Sequence, residues 1–558
     1  MLFFARFFPK FSCVLVLFFS GDIGAQRAQV TGDGQGAVAT VNAIASDAAI
    51  AMFAQGGNAI DAALAAAFML GVVDSHNSGI GGGLFAMVRF ADGRIEAIDG
   101  REMAPALAWP TMFMRDGKRV PDLSRTGALA IGIPGSVAAL YELHQQGGKL
   151  PFADTITPSV RVAREGFKVD RLFAQRLQRS VDKLVRFPAS AAILLKDGKP
   201  LQSGDKLVQK DLAKTYEKIA KQGPDYFYRG EFAKAVDAWM KAHQGLLRYE
   251  DFLQYRTVRR EPVITTFAGH AIYGFPPPSS GGAHVAQILN ILSTFPLRDL
   301  ADEQRYHLII ESMKLAFADR AYWMGDPDFV DVPKGIVSAE YGKELARKIN
   351  PQKTTQVAGY GAPPGAASDL FDKHTTHIAT ADKAGNWVAI TTTLNTSFGS
   401  KVTIPGTGVL MNNQMDDFAA QTGAANAFGL VGAKANSVAP AKRPLSSMSP
   451  TLVLKDKEPI MTLGAAGGPT IISQVAQILV NTLALEYPVE KALAAVRVHH
   501  QWQPDRVYID AYASKALKQA LTEKGHALHD WPPFGAAQAI TLQQGRFVVQ
   551  AEPRLDQR

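Results

Sequence analysis

Cysteine is almost missing from this chain. Its 558 residues include one, Cys13, which excludes an intrachain disulfide and any metal cluster built on cysteine. No apolar run is long enough to span a bilayer, which takes about 20 residues. Charge is modest, with 20% charged residues and a net +8. Lys and Arg are scattered among acids, without a helix-turn-helix, zinc-finger or RNP-like pattern. The basic balance therefore reads as a solvated surface, not a nucleic-acid face. The Walker A, HExxH and GxSxG motifs are absent. GIGGGL at Gly79 to Leu84 has Leu84 where a dinucleotide fingerprint needs glycine, and it lies between a helix and a strand. His499 and His500 are adjacent, which keeps two imidazoles off one face of a helix or strand. With 47% hydrophobic residues, the chain is a folded one that can bury a large core without staples. Length alone suggests three or four units.

The first 25 residues read as an export signal. Arg6 and Lys10 precede an apolar run from Phe11 to Phe19, and small residues follow, with a cut after Ala25. An uncleaved amphipathic anchor is the other reading. Cleavage removes Cys13, and the loss of Arg6, Lys10 and Asp22 takes the net charge from +8 to +7. The expected location is a periplasm or the outside, with no membrane contact once the signal is gone.

Asn42 to Val73 predicts two helices broken at Gly56-Gly57, with Asn58 capping the second. Asp92-Gly93 predicts a hairpin between Leu84 to Phe90 and Arg94 to Ile98. Further hairpins are expected for His377 to Ala381 with Trp387 to Thr393, and for Thr451 to Leu454 with Ile460 to Leu463. Helices are expected at Glu303 to Met324, Ile472 to Leu485 and Val489 to Val498. Strand pairs and helices alternate without a regular βαβ repeat, which points to antiparallel sheets covered by helices. VAGYGAPPGAASD, Val357 to Asp369, reads as a linker.

The linker leads to Thr375, which opens a strand. A Thr hydroxyl needs a nearby base to act as a nucleophile. As a chain N-terminus, Thr375 would carry its own, since an α-amine titrates at about 7.7–8.0. The same residues also read as an ordinary strand. The return strand brings Thr393 and Asn395 near Thr375. NNQMDDF, Asn412 to Phe418, sets amides beside carboxylates that suit an ammonium, or forms a polar loop. PLSSMSP, Pro444 to Pro450, sets two hydroxyls between prolines, for a carboxylate or for a turn. Gly467-Gly468 ends a strand, as an oxyanion hole or a turn. Arg101 follows a hairpin and suits a carboxylate.

Together these segments resemble the γ-glutamyltransferases, or glutathione hydrolases. The matching stretches are GREMAP, PPPSSGGAH, ADRAYWMGDPDF, TTH at Thr375, TTTLNTSFG, NNQMDDF, KRPLSSMSPT and Gly467-Gly468, in family order. The likeness runs from about Gly36 to the C-terminus. It implies an α/β (α+β) fold of the N-terminal-nucleophile hydrolase type, a four-layer αββα sandwich. It implies self-cleavage between His374 and Thr375, giving a large subunit (26–374) and a small one (375–558) that stay associated as a heterodimer. By resemblance Thr375 is the nucleophile, and Thr393 bonds it. Arg101, Ser446 and Ser447 hold the substrate α-carboxylate. Asn395, Gln414 and Asp417 surround the α-amino group, and Gly467 and Gly468 form the oxyanion hole. Substrates would be glutathione and other γ-glutamyl compounds, with water, amino acids or dipeptides as acceptors. No cofactor or metal is implied, since nucleophile and base lie on one residue.

Two departures stand out. GAAGG replaces the Ser-Pro that many members carry before the glycines. Phe428 stands in the lid segment where several members carry Tyr, which implies looser closure and more hydrolysis. Two alternatives remain at this point. One is a glutaryl-type cephalosporin acylase on the same fold, against which Asp417 argues. The other is an uncleaved periplasmic binding protein.

Overall fold

The computed structural model describes residues 26–359, 375–419, 434–532 and 534–557. Two main antiparallel sheets stack face to face under helices on both outer sides. In chain order their strands are β1 (Ala28–Val30), β2 (Gly36–Ala39), β3 (Gly83–Arg89), β4 (Ile95–Gly100), β5 (Val258–Arg260), β6 (Val263–Phe267) and β7 (His270–Gly274). Then come β8 (Thr376–Asp382), β9 (Trp387–Thr393), β10 (Thr451–Lys455), β11 (Glu458–Gly464), β12 (Gln538–Gln543) and β13 (Arg546–Ala551). The first sheet runs β1-β2-β8-β9-β3-β4-β5 and the second β6-β7-β10-β11-β12-β13. Each sheet takes strands from both sides of residue 374. The two parts of the chain therefore interleave.

Local chemistry sets the turns. Gly93 adopts φ +91° between β3 and β4, and Asp92 accepts the Arg94 N–H at 2.9 Å. Between β10 and β11, Asp456 and Lys457 both adopt positive φ, at 51° and 69°, the geometry that matches strand twist in a tight hairpin. The first helices, α1 (Ala43–Ala54) and α2 (Ala59–Val73), are capped by Asn42 and Asn58. Asp61 returns a bond to the Asn58 N–H to complete a capping box.

Side chains of β8 and β9 alternate between two cores. Ile378, Val388 and Ile390 pack with α2, while Ala379, Ala381, Trp387 and Ala389 pack between the sheets. Each fully buried Ile or Val on these faces contributes about 1.5–3 kcal/mol. The second sheet is covered by α3 (Gly281–Leu292), α4 (Asp302–Trp323) and α5 (Thr470–Leu479). The helix expected over Val489 to Val498 stops at Ala494. Val498 and His499 instead pair with Ile509 and Tyr508, so strand pairing overrides the local helical spacing. Among the described residues, no helix is long and apolar enough to cross a membrane.

Candidate active site

The register places several candidates at one end of the first sheet. Thr376 pairs with Thr392, Thr392 with Leu84, and Leu84 with Gly100. One step outward stand Thr375, Thr393, Gly83 and Arg101. Three inter-strand spacings separate the backbones of Thr375 and Arg101 by about 14 Å. Further in, His377 Nδ1 and Thr391 Oγ1 meet at 2.9 Å on the face toward the second sheet. Alternation sends Thr375 and Thr393 to that same face. Opposed side chains on such strands have Cβ atoms about 4.5–5.5 Å apart, within reach for two hydroxyls. Thr375 and Thr393 are both buried. The Asn395 N–H donates to Thr393 Oγ1 at 2.8 Å, which directs the Thr393 proton to another oxygen.

Arg101, fully buried, forms the charged part of the site. Its Nη2 lies 2.5 Å from Asp417 Oδ2 and 3.2 Å from the Leu445 carbonyl, and its Nε donates to the Pro444 carbonyl at 3.0 Å. These bonds wrap the Pro444 to Ser447 segment around the guanidinium. Gln414 Nε2 donates to the same Asp417 oxygen at 2.7 Å. The Gln414 Oε1 is buried and has no partner among the described residues, so it is an open acceptor. Asn395, at φ +82°, donates Nδ2 to the Asn413 carbonyl at 2.9 Å and anchors this loop. Burial pushes the Asp417 carboxyl above the usual range, and the Arg101 charge opposes that rise.

Glycine is required at the next element. Gly467 adopts φ +134° and Gly468 +57°, and a Cβ on Gly467 would lie 2.4 Å from Thr470 Oγ1. Neither N–H has a partner among the described residues, which leaves two donors beside each other. They follow β11, whose last residue, Gly464, packs against the His377 ring, with room for no side chain. The glycine pair thus arrives at the Thr375 end of β8.

Sequence reasoning missed Arg320 on α4. It is buried, donating Nη2 to Ser447 Oγ at 3.0 Å and Nε to Ser280 Oγ at 2.8 Å. The signal was present, since ADRAYWMGDPDF and PPPSSGGAH carry both residues, but nothing in the sequence paired them. Glu102 was missed as well. It lies 3.5 Å from Arg101, and burial lifts its carboxyl to about 7, with Arg101 opposing. His499 bonds Ser473 and His500 bonds Asp505. A third cluster joins His307 Nδ1 to His526 Nε2 at 2.8 Å, with Glu311 held by Thr354, Thr355 and Lys314. Its donors and acceptors serve one another. His374 and Phe428 lie outside the described residues.

Residues 45–558 match the family model described as gamma-glutamyltranspeptidase. The chain is 39% identical to a glutathione hydrolase proenzyme of Escherichia coli (strain K12), over 93% of this chain and 90% of that one. The cephalosporin acylase structure from Bacillus halodurans matches with a TM-score of 0.82 at 26% identity, covering 99% of this chain and 98% of that one. The gamma-glutamyltranspeptidase structure from Helicobacter pylori matches with a TM-score of 0.55 at 36% identity, covering 56% of this chain and 91% of that one.

Proposed function

The chain belongs to the gamma-glutamyltranspeptidase family, and from that premise we propose how its residues perform γ-glutamyl hydrolysis and transfer. It is an autoprocessed enzyme of the N-terminal-nucleophile hydrolase fold, which sets the binding-protein reading aside. Cleavage between His374 and Thr375 frees the Thr375 amine. That amine takes the hydroxyl proton as Thr375 attacks the γ-carbonyl. The Gly467 and Gly468 N–H groups receive the developing oxyanion. The proton passes to the leaving amine, and a γ-glutamyl ester remains on Thr375. Water then yields glutamate, and an amino acid or dipeptide yields a transferred product. From glutathione the first product is cysteinylglycine.

The zwitterionic end of the substrate sets orientation. Arg101 with Ser446 and Ser447 takes the α-carboxylate; Asp417, Gln414 and Asn395 take the α-ammonium. Holding both charges fixes the scissile carbonyl near Thr375. The interleaving of strands from both sides of residue 374 supports a large subunit (26–374) and a small subunit (375–558) that remain joined as a heterodimer. With the signal removed after Ala25, the enzyme acts in a periplasm or outside the cell.

The observation that carries this reading is the Asp417–Gln414 acceptor pair beside Arg101. A glutaryl side chain has no ammonium to use it, and the likeness to an acylase makes that substrate the one to exclude. The test compares kcat/KM for γ-glutamyl-p-nitroanilide and glutaryl-p-nitroanilide. The γ-glutamyl substrate is expected to win by at least about 10³-fold, because the glutaryl one leaves buried polar groups unpaired. Equal rates, or a glutaryl preference, would replace this reading with the acylase one.

A further inference from the structure

Two guanidinium groups flank the carboxylate pocket, and they are used differently. Arg101 already faces Asp417 at 2.5 Å and Glu102 at 3.5 Å. Arg320 has no carboxylate of the described residues within 4 Å; its bonds go to the hydroxyls of Ser280 and Ser447. Burial lowers its pKa to about 10, with Asp417 supporting the charge from beyond ion-pair distance. It is therefore a cation at neutral pH. A buried cation held by neutral hydroxyls alone is costly unless an anion joins it.

The hydroxyls indicate where that anion sits. Ser280 Oγ accepts from Arg320 and donates to the Ser446 carbonyl at 2.7 Å, so its proton is committed. The Ser280 N–H binds the same carbonyl at 2.8 Å. Ser447 Oγ also accepts from Arg320, but its proton has no acceptor among the described residues. A hydroxyl that accepts from a guanidinium is polarised to donate. Ser447 is thus set as a donor to an oxygen from outside the protein.

We propose that Arg320 is a positioning residue for the substrate α-carboxylate. It orients Ser447 as a hydrogen-bond donor, seats Ser446 through Ser280, and supplies positive charge that Arg101 shares with Asp417. This rests on the γ-glutamyl reading above.

The test is a double-mutant cycle on γ-glutamyl-p-nitroanilide with Arg320→Gln, Ser447→Ala and the pair. Arg320→Gln is expected to raise KM by about tenfold to hundredfold, the span of one charge-assisted hydrogen bond, with kcat changed less than about threefold. Arg320→Lys keeps the charge and restores part of the loss. In the Ser447→Ala background, Arg320→Gln is expected to raise KM by a clearly smaller factor than in the wild type, because the Ser447 part of its role is already gone. Effects that multiply, or a loss confined to kcat, overturn the proposal. If Arg320→Gln does not fold or self-cleave, Ser280→Ala and Arg320→Lys carry the same test, and an unchanged KM in both overturns it. A wild-type enzyme inactive on γ-glutamyl-p-nitroanilide sinks the γ-glutamyl reading itself. An active wild type with multiplicative effects sinks only the role of Arg320.

Discussion

The cluster around Arg497 and the cluster around Arg101 are both buried and both built on two arginines. In the first, Glu552 meets Arg497 at 2.5 Å and Arg554 at 2.9 Å, and Asp510 meets Arg554 at 2.9 Å. Two cations face two anions. Burial raises the Glu552 carboxyl, but Arg497 and Arg554 outweigh it, so Glu552 stays below the usual range. In the second, Asp417 pairs with Arg101 while Arg320 rests on hydroxyls, and burial lifts the Glu102 carboxyl to about 7, with Arg101 opposing. One cluster balances its own charges, although Arg497 Nε, Arg554 Nε and Asp510 Oδ1 lack hydrogen-bond partners among the described residues. The other keeps a cation on hydroxyls and, among the described residues, an unpartnered amide oxygen on Gln414 and two unpartnered N–H groups on Gly467 and Gly468. The first holds the chain together; the second waits for a ligand.

Substitutions should separate the two. Glu552→Gln strands buried cations and is expected to cost about 3–5 kcal/mol of stability. Scanning calorimetry would register this as a lower melting temperature, while kcat/KM of the folded enzyme stays unchanged. A loss of activity without a loss of stability would erase the distinction. A glycine in each cluster sharpens it. Gly467→Ala disturbs the oxyanion donors and is expected to lower kcat by about 10²–10³-fold, on top of a lower melting temperature from its positive φ and the Thr470 contact. Gly535 sits at φ +125°, and a Cβ there would lie 1.9 Å from Arg497 Nη1. Gly535→Ala should therefore lower melting and spare kcat.

The smallest expected effect is on pH dependence. Asp417 must be ionised to pair with the ammonium. Burial raises its carboxyl, with the charge and hydrogen bond of Arg101 opposing. As pH falls through that raised value, protonation removes the partner and KM for γ-glutamyl-p-nitroanilide rises. The acid limb should start above the usual carboxylate range of about 4. Asp417→Asn should abolish that limb, and an identical limb in the variant would assign it to another group.

Much of the fold was legible because short-range chemistry decided it. Asp92-Gly93 marks its hairpin, and Asn42 and Asn58 cap their helices. The β8–β9 hairpin, with Thr376 opposite Thr392, brings Thr375 toward Thr393 by its own register. What stayed hidden depended on contacts between distant segments. The helix after Val489 ends early because Val498 and His499 find Ile509 and Tyr508. Arg320 stayed anonymous within its motif because its partners, Ser280 and Ser447, are 40 and 127 residues away. Gln414 was visible as a polar residue, but the openness of its Oε1 emerges only from the packing around it.

The proposed chemistry depends above all on Thr375 becoming a chain N-terminus and acting as the nucleophile. Intact-mass and N-terminal analysis of the purified protein beside Thr375→Ala tests it most directly. Two associated chains are expected for the wild type, one beginning at Thr375, and a single inactive chain for the variant. An uncleaved wild type that still hydrolyses γ-glutamyl-p-nitroanilide, or a variant cleaved at the same bond, would contradict it.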